Sequence, residues 1–232
     1  MLDQINIEDV LFLDIETVPL TYHYSKLDKN TRKLWDIKFK YLQTESSESQ
    51  YKKAGIYAEF SKVVCISVGV MKGKAFRIKS YYGHDEKELL DNFSKLLNKH
   101  CIKKERLLCA HNGKEFDFPF MARRMLINGL KLPKVLDHAG KKPWEVPHLD
   151  TMELWKFGDY KSYTSLTLLA HVFGIPTPKD DIDGSDVGRV YHEENDLERI
   201  VTYCQKDVLT VAQLVLRFKG RPLIEEGSVI IA

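Results

Sequence analysis

Asp14 and Glu16 close a short apolar run, Val10-Leu11-Phe12-Leu13-Asp14-Ile15-Glu16. Residues two apart on a strand leave the same face. Two carboxylates so placed ionise together cheaply only with a cation between them. The plainer reading is a pair of solvated acids at a strand end. A third acid, Asp117, closes Asn112-Gly113-Lys114-Glu115-Phe116-Asp117. Taken alone, Asn112-Gly113 is an ordinary turn, and Asp117 is an acid that the helix dipole favours in a first turn. Tyr203 and Asp207 stand at i, i+4, so a helix presents the phenol and the carboxylate on one face. By themselves they also read as a surface acid beside a half-buried tyrosine.

The elements that must position these groups follow from patterning. Val10–Glu16 reads as a buried strand with its C-terminal end at a site. Between 20 and 60 lies a long polar segment. In it, Leu27, Leu34, Ile37 and Leu42 are spaced for a helix over about Asp28–Gln43, and Thr44–Gln50 reads as a mobile loop. Lys62–Met71 is rich in β-branched residues, as a central strand is, and Lys74–Tyr82 reads as its hairpin partner across Gly73. Asp85 caps a helix striped by Leu89, Leu90, Phe93, Leu96 and Leu97. Arg106–Ala110 reads as a strand, and Phe116–Asn128 as a helix stopped by Asn128-Gly129. Thr151–Trp155 and Ser165–Phe173 read as short helices, with Asp150 as an N-cap. Apolar residues from Leu197 to Val215 keep a 3.6 period along Glu194–Lys219. The sum is one α/β domain over 1–232, a mixed sheet of about five strands flanked by helices, with an insertion at about 20–60.

Composition narrows the class. With 232 residues, 44% hydrophobic and 29% charged, the chain can bury one full core. It shows no repeat at solenoid periods. No stretch approaches the roughly 20 apolar residues of a membrane span. Met1–Val10 carries acids and amides and no basic residue, unlike a secretory signal. Cys65, Cys101, Cys109 and Cys204 lack Cys-x-x-Cys spacing and read as buried thiols, which points to a reducing, cytoplasmic setting. A net charge of +2 is compatible with a polyanion partner through a local basic surface.

Together the three motifs resemble those of the DEDD superfamily of 3′–5′ exonucleases, which have an RNase H-like fold. Asp14-Ile15-Glu16 matches Asp-x-Glu. Asn112–Asp117 matches Asn-x-x-x-Phe/Tyr-Asp. Tyr203–Asp207 matches the tyrosine form, Tyr-x-x-x-Asp, and Thr202 stands where the histidine form has His. Within the superfamily, the chain is similar to predicted exonucleases related to the proofreading domain of family B DNA polymerases. His148-Leu149-Asp150 and Asp183-Gly184-Ser185 share in that resemblance.

The resemblance implies two Mg²⁺ or Mn²⁺ ions. Asp14 would bridge both, Glu16 and Asp207 would complete the first site, and Asp117 would hold the second ion through water. An all-oxygen donor set suits these hard cations better than zinc. Tyr203 would orient the attacking water. The implied substrate is single-stranded nucleic acid with a free 3′ end, DNA rather than RNA, and the implied product a nucleoside 5′-monophosphate. Thr17, Asn112 and Phe116 are candidate substrate contacts, with turn-making and core packing as the plainer roles of the last two. One of Arg123 and Arg124 is a candidate phosphate contact, against a solvated helix face. The basic runs Lys26–Lys40 and Lys131–Lys142 could widen the groove, or simply be solvated. His111 and His148 read as structural. A polymerase or repair partner is not legible. A catalytically silent nucleic-acid-binding module and a structure-selective endonuclease are the alternatives; the first predicts the loss of one of the four acids, and all four are present.

Overall fold

A computed structural model describes residues 2–41, 45–101, 106–159, 161–176 and 182–232. Its centre is a six-stranded sheet in the order β5-β4-β1-β2-β3-β6. These are β1 (Val10–Pro19), β2 (Ser61–Lys72), β3 (Ala75–Tyr82), β4 (Leu107–Ala110), β5 (Leu149–Asp150) and β6 (Val229–Ile231). β1–β2 and β2–β3 pair antiparallel; β1–β4, β4–β5 and β3–β6 pair parallel. The helices are α1 (Lys29–Phe39), α2 (Ser47–Tyr51), α3 (Glu86–His100), α4 (Asp117–Ile127), α5 (Thr151–Lys156), α6 (Leu166–Val172), α7 (Val187–Arg189) and α8 (Leu197–Phe218), with a π-helical turn at Val190–Glu194.

The two faces of β1 are sorted by the period-2 alternation of its side chains. Leu11, Leu13 and Ile15 pack under α3 and α4, against Leu90, Phe93, Phe120 and Met121. Val10 and Phe12 pack on the opposite face against Val208, Val211, Ala212 and Val215 of α8. Continuing that alternation, Asp14 and Glu16 lie on the α8 side. α8 crosses β1, β2 and β3. It comes close because β2 has a glycine beneath it: a Cβ on Gly69 would stand 2.2 Å from Phe76 and 2.8 Å from Val208.

Several expectations change. β1 does not end at Glu16 but runs on to Pro19, with its register against β2 shifted between Glu16 and Thr17. Such bulges kink a strand and re-aim side chains. The sheet has a sixth strand, β6, at its edge, and Leu149–Asp150 pairs as β5. The helix expected over 28–43 stops at Phe39, with Asp28 as N-cap; Leu42 and Gln43 lie outside the described residues. Its buried residues are Trp35 and Phe39, whereas Leu34 and Ile37 are exposed. Aromatic bulk wins that choice of face, because the insertion closes around a core of its own formed by Leu27, Trp35, Phe39, Tyr51, Ala54 and Phe60. The segment read as a mobile loop folds, beyond Thr44, which is not described, into α2. Ser46 caps it, and its Tyr51 packs edge-on against Trp35 at 4.8 Å.

Candidate active site

Parallel pairing of β1 with β4 reaches only Phe12↔Cys109. Beyond it the chain after β4 leaves the sheet and turns into α4. Asn112 takes a left-handed φ of 63° there, and its carbonyl accepts from Glu115 N and Phe116 N. The turn is held from outside. Asp150, 2% exposed, accepts from Asn112 N at 2.9 Å and Lys114 N at 3.0 Å, and caps α5 through Met152 N at 2.9 Å and Glu153 N at 3.4 Å. One carboxylate thus gathers four backbone donors from two segments. The cap was legible from the sequence; the grip on the Asn112–Lys114 turn was not, since nothing local announces a bond across 38 residues.

Asp117, the first residue of α4, is 3% exposed and accepts a hydrogen bond from the backbone of Ile15. That bond places the second motif beside the first. From the other side, α8 brings Cys204 under Asp14, the thiol donating to the Asp14 carbonyl at 3.4 Å. Oxygens of Asp14 and Glu16 and the Cys204 sulfur all lie within 4.8 Å of one another. Tyr203 and Asp207 occupy the rim of the same helix face, and the phenol hydrogen-bonds Asp207.

Electrostatics ties the acids into one group. Burial, then Asp207 and Asp117, holds the Asp14 carboxyl well above the ordinary carboxylate range. Glu16, 7% exposed, is held up by burial, then by Asp14 and Asp207. Asp117 is pushed up to about 8, chiefly by burial, with Asp150 and Asp207 adding to it. Tyr203 is pushed up by burial and by Asp207, Glu16 and Asp14, so it remains a phenol. No cationic side chain is among the largest influences on Asp14 or Glu16. Asp14 Oδ2 is buried with no hydrogen-bond partner. A concentration of carboxylates around an orphaned, buried oxygen suits a hard divalent ion. Cys204 donates its thiol to the Asp14 carbonyl, and a soft sulfur is a poor donor for such an ion.

The other candidates separate. Thr17 donates its hydroxyl to the Gly55 carbonyl at 2.8 Å, fastening the insertion to β1. Phe116 is half-buried, 5.3 Å from the Phe120 ring. Arg124 is 4% exposed: it forms a fork with Glu86, at 2.8 Å and 2.5 Å, and donates to the Ala58 carbonyl. That removes it from the candidate phosphate contacts and leaves the exposed Arg123. His148 accepts from Leu108 N and donates to the Val135 carbonyl. His111 bonds Thr151 Oγ1 and the Thr164 carbonyl. All four cysteines are free thiols, three of them buried. Among the described residues no helix is long and apolar enough to cross a membrane.

Comparison with known proteins bears on the fold and the family. A DNA polymerase of Desulfurococcus sp. (strain Tok) is 26% identical over 145 residues, 57% of this chain and 18% of the polymerase. The chain therefore spans less than a fifth of that relative. The family B DNA polymerase structure from the hyperthermophilic archaeon Pyrobaculum calidifontis superposes on 90% of this chain and 24% of its own, with a TM-score of 0.54 at 15% identity, a likeness of fold. The mixed sheet and its flanking helices are thus RNase H-like, as in the exonuclease domain of such a polymerase. The model of a family described as predicted 3′–5′ exonucleases related to the exonuclease domain of PolB matches residues 56–221, which hold the second and third motifs. With that match over most of its length, the chain belongs to this family of PolB-related, exonuclease-like proteins.

Proposed function

We propose that the protein is a divalent-metal-dependent 3′–5′ exonuclease that removes nucleoside 5′-monophosphates from single-stranded nucleic acid, DNA rather than RNA. The observation that carries this reading is the convergence of Asp14, Glu16, Asp117 and Asp207 from β1, α4 and α8 with no cation among the strongest influences on the first pair. Family membership and the DNA polymerase relative support it. Asp14, Glu16 and Asp207 would hold one Mg²⁺ or Mn²⁺, and Asp14 with Asp117 a second. Bound there, two such ions lower the pKa of an attacking water and neutralise the leaving 3′-oxygen.

The remaining work falls to the chain. Tyr203, kept protonated by burial and the acids around it, acts as a hydrogen-bonding group that orients the water and not as a base. Asp150 positions the second motif by fixing the Asn112–Lys114 backbone. Asn112 and the half-buried Phe116 flank the terminal nucleotide, Phe116 by stacking on its base. Thr17, its hydroxyl committed to Gly55, contributes through the backbone that follows Glu16. Free thiols throughout suit a reducing, intracellular setting.

A 5′-labelled oligonucleotide with millimolar Mg²⁺ or Mn²⁺ tests the proposal. The expected result is a ladder shortening from the 3′ end, faster on DNA than on RNA. Binding without cleavage would establish a silent binding module instead, and cuts in a circular single strand an endonuclease.

A further inference from the structure

The insertion before residue 56 lies outside the family match, yet it is built onto the catalytic strand. Thr17 holds Gly55, Leu20 N donates to Phe60 O, and the Tyr51 hydroxyl donates to Thr21 O at 2.7 Å. It also concentrates charge. Residues 26–40 hold six basic and two acidic side chains, a net of +4 in a chain whose total is +2. Both acids have internal duties: Asp28 caps α1, and Asp36 accepts from the Tyr24 hydroxyl. Arg32 is turned inward to the carbonyls of Ser25 and Leu27, and Lys38 pairs with Glu59. Lys29, Lys33 and Lys40 are exposed and make no ion pair among the described residues.

These lysines edge a groove of about 580 Å³ with Leu27 and Ile37 in its lining. A second cleft, of about 680 Å³, is lined by Thr17, the residue after Glu16, and by Tyr22, Tyr24 and Ser25, with Lys52 and Lys53 balanced by Glu48 and Glu193. Ser25 in its lining and Leu27 in that of the basic groove stand two residues apart in the chain. Aromatic surface in the cleft beside a lysine-edged groove suits a polymer with stackable faces and regularly spaced anions. An acidic peptide would need the cations but not the continuity with the catalytic strand.

Resting on the exonuclease reading, we propose that the insertion is a strand-holding module. The cleft beyond Thr17 and the edge formed by Lys29 and Lys33 of α1 with Lys40 at its C-cap carry the phosphodiester backbone upstream of the 3′ end, so affinity grows with strand length.

The test is the triple variant Lys29→Gln/Lys33→Gln/Lys40→Gln, in which three exposed helix-compatible residues change and the melting temperature reports an intact fold. Fluorescence anisotropy in EDTA measures binding of a labelled 20-mer and a labelled tetramer across a salt series. Wild type should bind the 20-mer far more tightly than the tetramer. The variant should bind the 20-mer about tenfold more weakly, with its salt slope reduced by about 2, near 0.7 per phosphate contact on a single strand. Unchanged 20-mer affinity and slope in a variant of wild-type stability would overturn the module, even if wild type trims 3′ ends. Competition by poly-glutamate as effective as by oligonucleotide would also overturn it, in favour of an acidic protein partner. The predicted loss in a protein that cleaves nothing would support the module and refute the nuclease.

Discussion

Asp14 is the residue on which the site turns, because its Oδ2 is buried and unpartnered while Asp207 and Asp117 press on it. Such an oxygen is costly in the metal-free fold. Asp14→Asn keeps the shape and discards the charge. It should lower cleavage by roughly a thousandfold, yet leave the melting temperature in EDTA unchanged or higher. Cleavage within tenfold of wild type would refute the shared-ligand role. Tyr203→Phe differs in kind. The phenol is already protonated, so its removal should slow the rate on the order of a hundredfold with metal affinity unchanged. Metal titration followed by melting separates the two, and a collapse of affinity would make the tyrosine structural. At this scale the sequence was informative for the acids, because spacing on a strand or helix fixes which side chains share a face. It was blind to Arg124. Nothing in Arg123-Arg124 tells which guanidinium faces the core, and the answer depends on Glu86, 38 residues away.

That same pair shows how elements are locked. Glu86 starts α3, accepts from Val63 N of β2 at 2.8 Å and from Asn128 at 2.9 Å, and grips Arg124 of α4. Removing one partner leaves the other charge buried and uncompensated, at a cost of about 3–5 kcal/mol. Arg124→Met should therefore lower the melting temperature by about 6–20 °C at this chain length. The double variant Glu86→Gln/Arg124→Met should recover part of that loss. Equal melting of the single variant and wild type would show that the pair contributes nothing. Local pattern located the long elements: β2 lies within a residue of its expected bounds, α3 starts right after its expected cap, and α8 ends one residue before its expected end but starts three residues late, after a π-helical turn. It failed where tertiary contacts decide. Leu34 and Ile37 were offered by helical spacing for the buried face of α1, but the bulkier Trp35 and Phe39 took it, beside the Leu27 that was also offered. A polar run became α2 because Tyr51 at its end had that same core to enter. The three-residue β6 has too little pattern to stand out; only Phe76, Arg77 and Ile78 beside it make it a strand.

For the whole molecule, the site is where folding and metal binding oppose each other's protons. Asp117 has a folded pKa of about 8 against an ordinary 3.8, set mainly by burial. Between about pH 4 and 8 the folded chain keeps a proton that the unfolded chain has lost. Stability then falls as pH rises through that window, by about 1.4 kcal/mol per unit for each such proton. Asp14 and Glu16 are shifted in the same direction and add to the trend. A divalent cation acts with the opposite sign, since it binds the carboxylates only after their protons leave. In EDTA the melting temperature should therefore be lower at pH 8 than at pH 5.5. Millimolar Mn²⁺ should raise it at both values and raise it more at pH 8, where fewer protons need displacing. Saturation a hundredfold above the dissociation constant is worth about 2.7 kcal/mol, or about 5–11 °C for a chain this long. In Asp14→Asn most of that gain should vanish. Melting temperatures that climb from pH 5.5 to 8 in EDTA, or a Mn²⁺ gain that is larger at the lower pH, would mean that the four acids are not one buried, cation-seeking group.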